Sequence, residues 1–245
     1  MGPMTDRALD EKSCRVRYWG LIPAAGTGER FGGTRPKQYQ HVAGVPLLQF
    51  SLNCLAKAPE IAGITVGLAS TDRWFESMCQ APAKLISTFI GGSSRAETVL
   101  RGLELLCEHG RDEDWVLVHD AVRPCLKLSD VSSLINAVGD GTTGGILAVP
   151  VRDTLKNSDA HGYAIKTLER EGIWRALTPQ MFRLRDLITA LQACSSTLSE
   201  ISDEASAIEQ AGQPVKLVAG REDNIKVTVA EDLDLVSAIL ANGCS

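Results

Sequence analysis

Apolar runs alternate with amphipathic stretches along most of this chain, and that alternation restricts the fold more than any other feature. The runs at 16–23, 61–69, 84–90, 115–119 and 145–151 are short and bounded by glycine, proline or polar residues, as buried strands are. Between them, 46–58, 94–109 and 129–138 carry apolar residues at helical spacing; Leu103 and Leu106 follow Val99 by four and seven positions. A shorter stretch at 72–79 reads as a brief helix. Strand–helix alternation implies crossover connections, which build an α/β fold: a Rossmann-like, mostly parallel twisted sheet with helices on both faces.

The pattern breaks at 152–172, which is polar, β-like and centred on an Ala160-His161-Gly162 turn. Such a segment buries no core of its own, and a lone hairpin is marginal in water unless something covers it. It reads as a projecting arm on a single domain at 16–245. Beyond it, 184–193 and 203–211 read as helices, 215–218 and 225–229 as strands, and 231–240 as a closing amphipathic helix. No element is assigned at 173–183. Residues 1–15 are left outside the folded domain; they show no apolar core of a signal peptide.

The chain has 245 residues, enough to bury a core without a disulfide or metal staple. Its 25 Lys and Arg against 30 Asp and Glu give a formal charge of -5, unlike the basic excess of a nucleic-acid binder. No apolar run approaches the roughly 20 residues of a membrane span. The seven cysteines form no Cys-x-x-Cys pair and read as free thiols of a cytoplasmic protein. The four histidines lack metal-ligand spacing.

A glycine-rich loop, Ala24-Ala25-Gly26-Thr27-Gly28-Glu29-Arg30-Phe31-Gly32-Gly33, follows the first strand directly. Small residues let backbone N–H groups approach a phosphate closely. The loop is not a dinucleotide fingerprint, because Phe31 stands where the third Gly or Ala belongs, and it is not a P-loop, because Thr34-Arg35 replaces Lys-Ser/Thr. It runs instead into three cations, Arg30, Arg35 and Lys37, which suit a polyphosphate; a solvated surface turn is the plainer alternative.

A-A-G-x-G-x-R at 24–30 followed by P-K-Q-Y at 36–39 resembles the nucleotidyltransferases that activate sugar or polyol phosphates. Further blocks narrow the resemblance: G-G-x-x-R-x-x-T-V at 91–99, V-H-D-A-V-R-P-C at 118–125, G-G-I-L-A-V-P-V-R-D-T at 144–154, L-T-P-Q at 177–180, S-D-E-A-S-A at 202–207 and G-R-E-D-N-I-K-V-T at 220–228. Together these blocks, spread over about 18–240, resemble the 2-C-methyl-D-erythritol 4-phosphate cytidylyltransferase family.

The resemblance implies attack of a monophosphate oxygen on the α-phosphorus of CTP, with pyrophosphate leaving and Mg²⁺ as cofactor. All reactants are anionic, so positioning and charge neutralisation outweigh covalent catalysis. Family positions put Arg30 and Lys37 on the triphosphate, and Pro23, Ala24, Ala25, Gly26 and Gly28 around ribose and phosphates. Gly92, Ser93 and the Thr98 hydroxyl would read cytosine, and Asp120 would meet ribose or metal. Asp120, Arg123, Thr154, Arg170, Thr178 and Lys226 would surround the acceptor, with Arg170 and Lys226 orienting its phosphate.

In the family this chain resembles, the arm embraces a second subunit, so the resemblance implies a homodimer whose sites are completed across the interface. His119 reads as a packing residue, Ser202 as a helix N-cap, and Arg175, Arg183 and Arg185 as solvated charges. A ribitol-5-phosphate cytidylyltransferase, or a non-catalytic nucleotide-binding protein on the same fold, are the alternatives.

Overall fold

The computed structural model describes residues 16–26, 35–139 and 141–242. In chain order it contains β1 (Tyr18–Ala24), the hairpin β2 (His41–Val42) and β3 (Val45–Pro46), α1 (Leu47–Lys57), β4 (Ile61–Leu68), α2 (Phe75–Met78), β5 (Leu85–Ile90) and α3 (Arg95–Cys107). Next come β6 (Trp115–Val118), α4 (Leu128–Val138), β7 (Gly145–Pro150), β8 (Leu155–Ser158), β9 (Ala164–Leu168) and β10 (Trp174–Arg183). The last elements are α5 (Leu184–Ala193), α6 (Glu204–Gln210), β11 (Lys216–Ala219) and α7 (Asp232–Asn242).

Seven strands form one sheet in the order β11-β7-β10-β6-β1-β4-β5. β5, β4, β1 and β6 pair in parallel, as do β7 and β11. β10 is inserted antiparallel between β6 and β7. The sheet is therefore mostly parallel, and the side-chain alternation of each strand feeds two cores. On one face Ile22, Ile64 and Leu117 pack with Leu48, Leu52 and Leu55 of α1 and Val131 and Leu134 of α4. On the other, Leu21, Val116 and Val118 pack with Val99, Leu103 and Leu106 of α3, Leu187 and Leu191 of α5, and Ile208 of α6. Fully burying a leucine or valine contributes roughly 1.5–3 kcal/mol, so these layers dominate the stability.

Two sequence expectations change. The ten-residue β10 occupies the unassigned stretch at 173–183 and runs through the middle of the sheet. Pro179 hid it, since proline has no ladder N–H and argues against a central strand. The chain accommodates it by a register shift against β7 between Ala176 and Gln180. Conversely, 225–229 forms no strand. Val227 is fully buried and its N–H donates to Val122 O at 2.9 Å, so the segment is tied to a loop rather than to a ladder.

The arm does form a hairpin. β8 and β9 pair only with each other, and Tyr163 and Ile165 are largely exposed on it. Among the described residues no helix is long and apolar enough to cross a membrane. Cys54, Cys79, Cys107, Cys125 and Cys194 are free thiols. Residues 1–15 lie outside the described residues.

Candidate active site

The connection order places the site. From β1 the chain adds β4 and β5 on one side, then returns to place β6 on the other. Where an open α/β sheet reverses its winding, a crevice opens beyond the carboxyl ends of the strands. Residues 23–26 emerge from β1 onto one lip of that crevice, and Asp120 follows β6 onto the other; the His119 N–H donates to Leu21 O at 2.9 Å.

The first lip carries residues 23–26, where the glycine-rich segment begins. Gln38, buried in the 3-10 turn Lys37–Tyr39, donates its amide N–H groups to Ala24 O at 2.8 Å and Gly26 O at 3.1 Å. This side chain, given no role from sequence, fixes two carbonyls of the loop. Lys37 is half-buried on the same turn and its charge reaches Asp232 at the start of α7. Arg30 and Gly28 lie outside the described residues.

The 91–98 segment packs against this loop. A Cβ at Gly91 would meet the Ala25 Cβ at 2.5 Å and Thr98 Oγ1 at 2.8 Å, so only glycine permits the approach. Thr98 is 2% exposed. Its hydroxyl donates to Ser94 O at 2.9 Å and accepts the Gly92 N–H at 3.0 Å. The N–H and hydroxyl of Ser93 both donate to Glu97 Oε2 at 2.7 Å. The Thr98 hydroxyl and the Gly92 and Ser93 N–H groups, all expected to read a base, thus bond within their own segment here, as a threonine in a first helical turn readily does.

On the second lip, Arg95, Asp120, Arg123, Thr178, Ser202, Asp203 and Lys226 help line a cavity of about 250 Å³. Four residues expected around the acceptor, Asp120, Arg123, Thr178 and Lys226, are brought together here. Asp120 Oδ1 accepts from Arg95 Nε at 3.0 Å. Its Oδ2 faces Lys226 Nζ at 3.0 Å and Arg123 Nε at 3.3 Å. Burial alone would raise the Asp120 pKa, but Arg95, Lys226 and Arg123 overcome it and hold the carboxyl far below the usual range.

His119 is fully buried beside this cluster. Its Nε2 lies 3.2 Å from the Arg123 carbonyl, which can only accept, so Nε2 carries the proton. Nδ1 is then an acceptor, and Thr178 Oγ1, 2.9 Å away, donates to it. Thr178 Oγ1 also accepts the Asp120 N–H at 3.1 Å. Burial pushes the His119 pKa down to about 4, which keeps the ring neutral. The expected packing role thus includes holding the hydroxyl that orients Asp120.

A resident Mg²⁺ does not fit the residues present. Both Asp120 oxygens already face cations, and among the described residues no group of three or more His, Cys, Asp or Glu could hold a metal. Thr154 and Arg170 are exposed on the arm and are not among the lining residues of the cavity. Arg170 donates to the Arg152 carbonyl beside it.

Two smaller expectations shift. Asp203, not Ser202, caps α6: its carboxylate accepts the Ser206 N–H at 3.0 Å. Arg183 lies over the Trp115 ring at 3.8 Å rather than in solvent, whereas Arg175 and Arg185 are exposed charges paired at the surface with Glu222 and Asp112. Arg95 and Glu204 carry much of the site's electrostatics and were missed. One signal was available: Arg95 is the first residue of α3, where the helix dipole disfavours a cation, so an arginine there needs a partner.

A doubly wound sheet with residues 23–26 on one lip of its switch point and a cavity lined by Arg95, Arg123 and Lys226 on the other fits an enzyme of the nucleotidyltransferase class. Residues 19–242 match the family model described as IspD, 2-C-methyl-D-erythritol 4-phosphate cytidylyltransferase. A protein of that name from Pseudomonas putida strain F1 is 48% identical over 218 residues, 89% of this chain and 93% of its own. One from Pseudomonas fluorescens strain SBW25 is 46% identical over 226 residues, covering 92% and 96%.

Among solved structures, a 4-diphosphocytidyl-2C-methyl-D-erythritol synthase superposes with a TM-score of 0.81 at 34% identity, covering 92% of this chain and 99% of that one. The Francisella tularensis 2-C-methyl-D-erythritol 4-phosphate cytidylyltransferase gives 0.77 at 31%, covering 91% and 99%. The chain belongs to the 2-C-methyl-D-erythritol 4-phosphate cytidylyltransferase family.

Proposed function

We infer that this protein transfers the cytidylyl group of CTP to 2-C-methyl-D-erythritol 4-phosphate, forming 4-diphosphocytidyl-2-C-methyl-D-erythritol and pyrophosphate for isoprenoid biosynthesis by the non-mevalonate route. The observation that carries this reading is the pair of lips on one crevice: Ala24 and Gly26 held by Gln38, and the cavity where Arg123 and Lys226 converge on Asp120.

A phosphate oxygen of the acceptor attacks the α-phosphorus of CTP. A new P–O bond forms there as the bond to the β-phosphate oxygen breaks, and pyrophosphate departs with that electron pair. No protein nucleophile is required; charge must be neutralised and the reactants aligned. Arg30 and Lys37 hold the triphosphate, and the main chain at Pro23, Ala24, Ala25, Gly26 and Gly28 cradles it. Gly92 and Ser93 face the base, with Thr98 shaping their loop. Arg123 and Lys226 receive the acceptor phosphate.

The divalent ion belongs with the nucleotide's phosphates, as part of the substrate. The exposed hairpin is a dimerisation arm, and Thr154 and Arg170 complete the site of the partner subunit. That role accounts for their distance from the cavity of their own chain and for the uncovered Tyr163 and Ile165. Free thiols are in keeping with a cytoplasmic protein.

The test is a pyrophosphate-release assay with CTP, crossing methylerythritol phosphate against ribitol 5-phosphate, with ATP, GTP and UTP as controls. Turnover is expected with CTP and methylerythritol phosphate. Appreciable turnover only with ribitol 5-phosphate overturns the acceptor assignment.

A further inference from the structure

Arg95, its side chain 24% exposed, pairs with the buried Glu204 in a contact that the reaction does not use. Arg95 opens α3 and Glu204 opens α6, so two helix N-termini converge on one ion pair. Arg95 NH1 lies 2.6 Å from Glu204 Oε1 and NH2 3.1 Å from Oε2, a bidentate contact. The remaining nitrogen, Nε, donates to Asp120 Oδ1 at 3.0 Å. All three guanidinium nitrogens are therefore spent on two carboxylates. Glu204 is 1% exposed, and burial pushes its carboxyl upward against the pull of Arg95.

The consequence falls on Asp120. With Oδ1 tied to Arg95, the carboxylate presents Oδ2 to Lys226 and Arg123. Without that tie it could turn both oxygens onto those two cations and compete with an incoming phosphate for them. Buried ion pairs are poor stabilisers, because desolvation offsets most of their attraction, so stability alone is a weak reason for this one.

We propose that Arg95 and Glu204 are positioning residues: the pair fixes Asp120 in one orientation so that Lys226 and Arg123 remain available to the acceptor's phosphate. The proposal rests on the reading of the cavity as the acceptor-phosphate site. It concerns how the site is held, not which groups touch substrate.

The decisive variant replaces the pair together, Arg95→Met with Glu204→Met. Apolar residues of similar volume commonly restore the stability of a lost buried ion pair, so a purely structural role predicts a folded, fully active protein. Positioning predicts a cooperative urea transition with KM for methylerythritol phosphate raised by about tenfold or more while KM for CTP stays within about twofold. Inorganic phosphate, titrated calorimetrically, should bind more weakly by a similar factor.

A folded double variant with wild-type acceptor KM and phosphate affinity overturns the proposal. So does a wild-type protein that binds no phosphate. Should the double variant not fold, Arg95→Lys decides. It keeps the charge but cannot span both carboxylates, and raised acceptor KM at unchanged stability supports positioning, whereas wild-type kinetics refute it. Failure of the parent reading is seen separately, as absence of turnover of methylerythritol phosphate by the wild-type enzyme; the phosphate titration reports on the pair regardless.

Discussion

The Asp120 carboxylate and the Lys226 ammonium meet at 3.0 Å across the cavity, one on the loop after β6 and the other in the irregular segment before α7. Asp120 is nearly buried, whereas the Lys226 side chain is 39% exposed. The lysine is thus anchored on one side and open on the other, as an anion-binding cation needs to be. Lys226→Ala is expected to lower kcat/KM by about 10²–10³ through lost neutralisation of the acceptor phosphate. Its urea midpoint should change little, because Asp120 keeps Arg95 and Arg123. Steady-state kinetics with each substrate varied, beside equilibrium unfolding, check both statements.

Asp120→Asn behaves differently. It leaves Arg95, Arg123 and Lys226 facing one another without their shared anion, at an expected cost of about 3–5 kcal/mol at pH 7. Because the native Asp120 pKa is depressed, its contribution is fully present above the unfolded value of about 3.9 and fades only in acid. The gap between wild type and Asp120→Asn in urea unfolding should therefore be constant from pH 8 to pH 5 and shrink toward pH 3. A gap that widens in acid would refute the assignment.

His119 gives a second pH signature. Its native pKa is lowered from 6.5 to about 4, so the neutral ring contributes stability above pH 6.5 that is lost as pH falls through that window. The full effect is about 3 kcal/mol, from about 1.4 kcal/mol per pKa unit. Thermal melts of wild type and His119→Asn between pH 7.5 and pH 4.5 should converge as the pH drops. Parallel curves would show that the ring does not titrate in this way.

Gln38 supports the nucleotide loop from beneath. Gln38→Leu leaves Ala24 O and Gly26 O without their donor, costing about 1–3 kcal/mol in stability. KM for CTP should rise while KM for the acceptor holds. An acceptor KM that rises with it, at equal stability, would place Gln38 elsewhere in the mechanism.

The proposed completion of each site by a partner's arm makes a prediction that single variants cannot test. Arg170→Ala and Lys37→Ala should each be nearly inactive as homodimers. Mixed after partial unfolding and reassembly, they form heterodimers in which one site carries both lesions and the other carries neither. Pyrophosphate release should then recover toward about one quarter of wild type, the statistical limit of random pairing into two-site dimers. Mixtures as inactive as their parents would mean that Arg170 serves its own chain.

Much of the layered sheet was legible because parallel strands buried on both faces read as continuous apolar runs, and helices between them declare themselves by period. The glycine loop and its cations were legible for a related reason: they are contiguous, and their position after the first strand is itself a sequence fact. Five of the six residues expected around the acceptor, all but Arg170, also sit in quotable blocks. What sequence could not convey is that the loop carrying Asp120 and Arg123 shares one cavity with Thr178 of β10 and Lys226 of the segment before α7, since these three stretches are far apart in the chain and meet only in the fold.

The amino-acid sequence alone determined the strand–helix rhythm, the glycine-rich segment after the first strand and the family resemblance, because each is encoded in local order. Only the tertiary structure decided that β10 enters the sheet antiparallel through Pro179, that Thr98 spends its hydroxyl on its own loop, and that Arg95 bridges Glu204 to Asp120. The reason is physical. Hydrogen bonds and buried charges choose partners by distance and desolvation, and in these cases the partners are separated along the chain or selected by a loop's final shape.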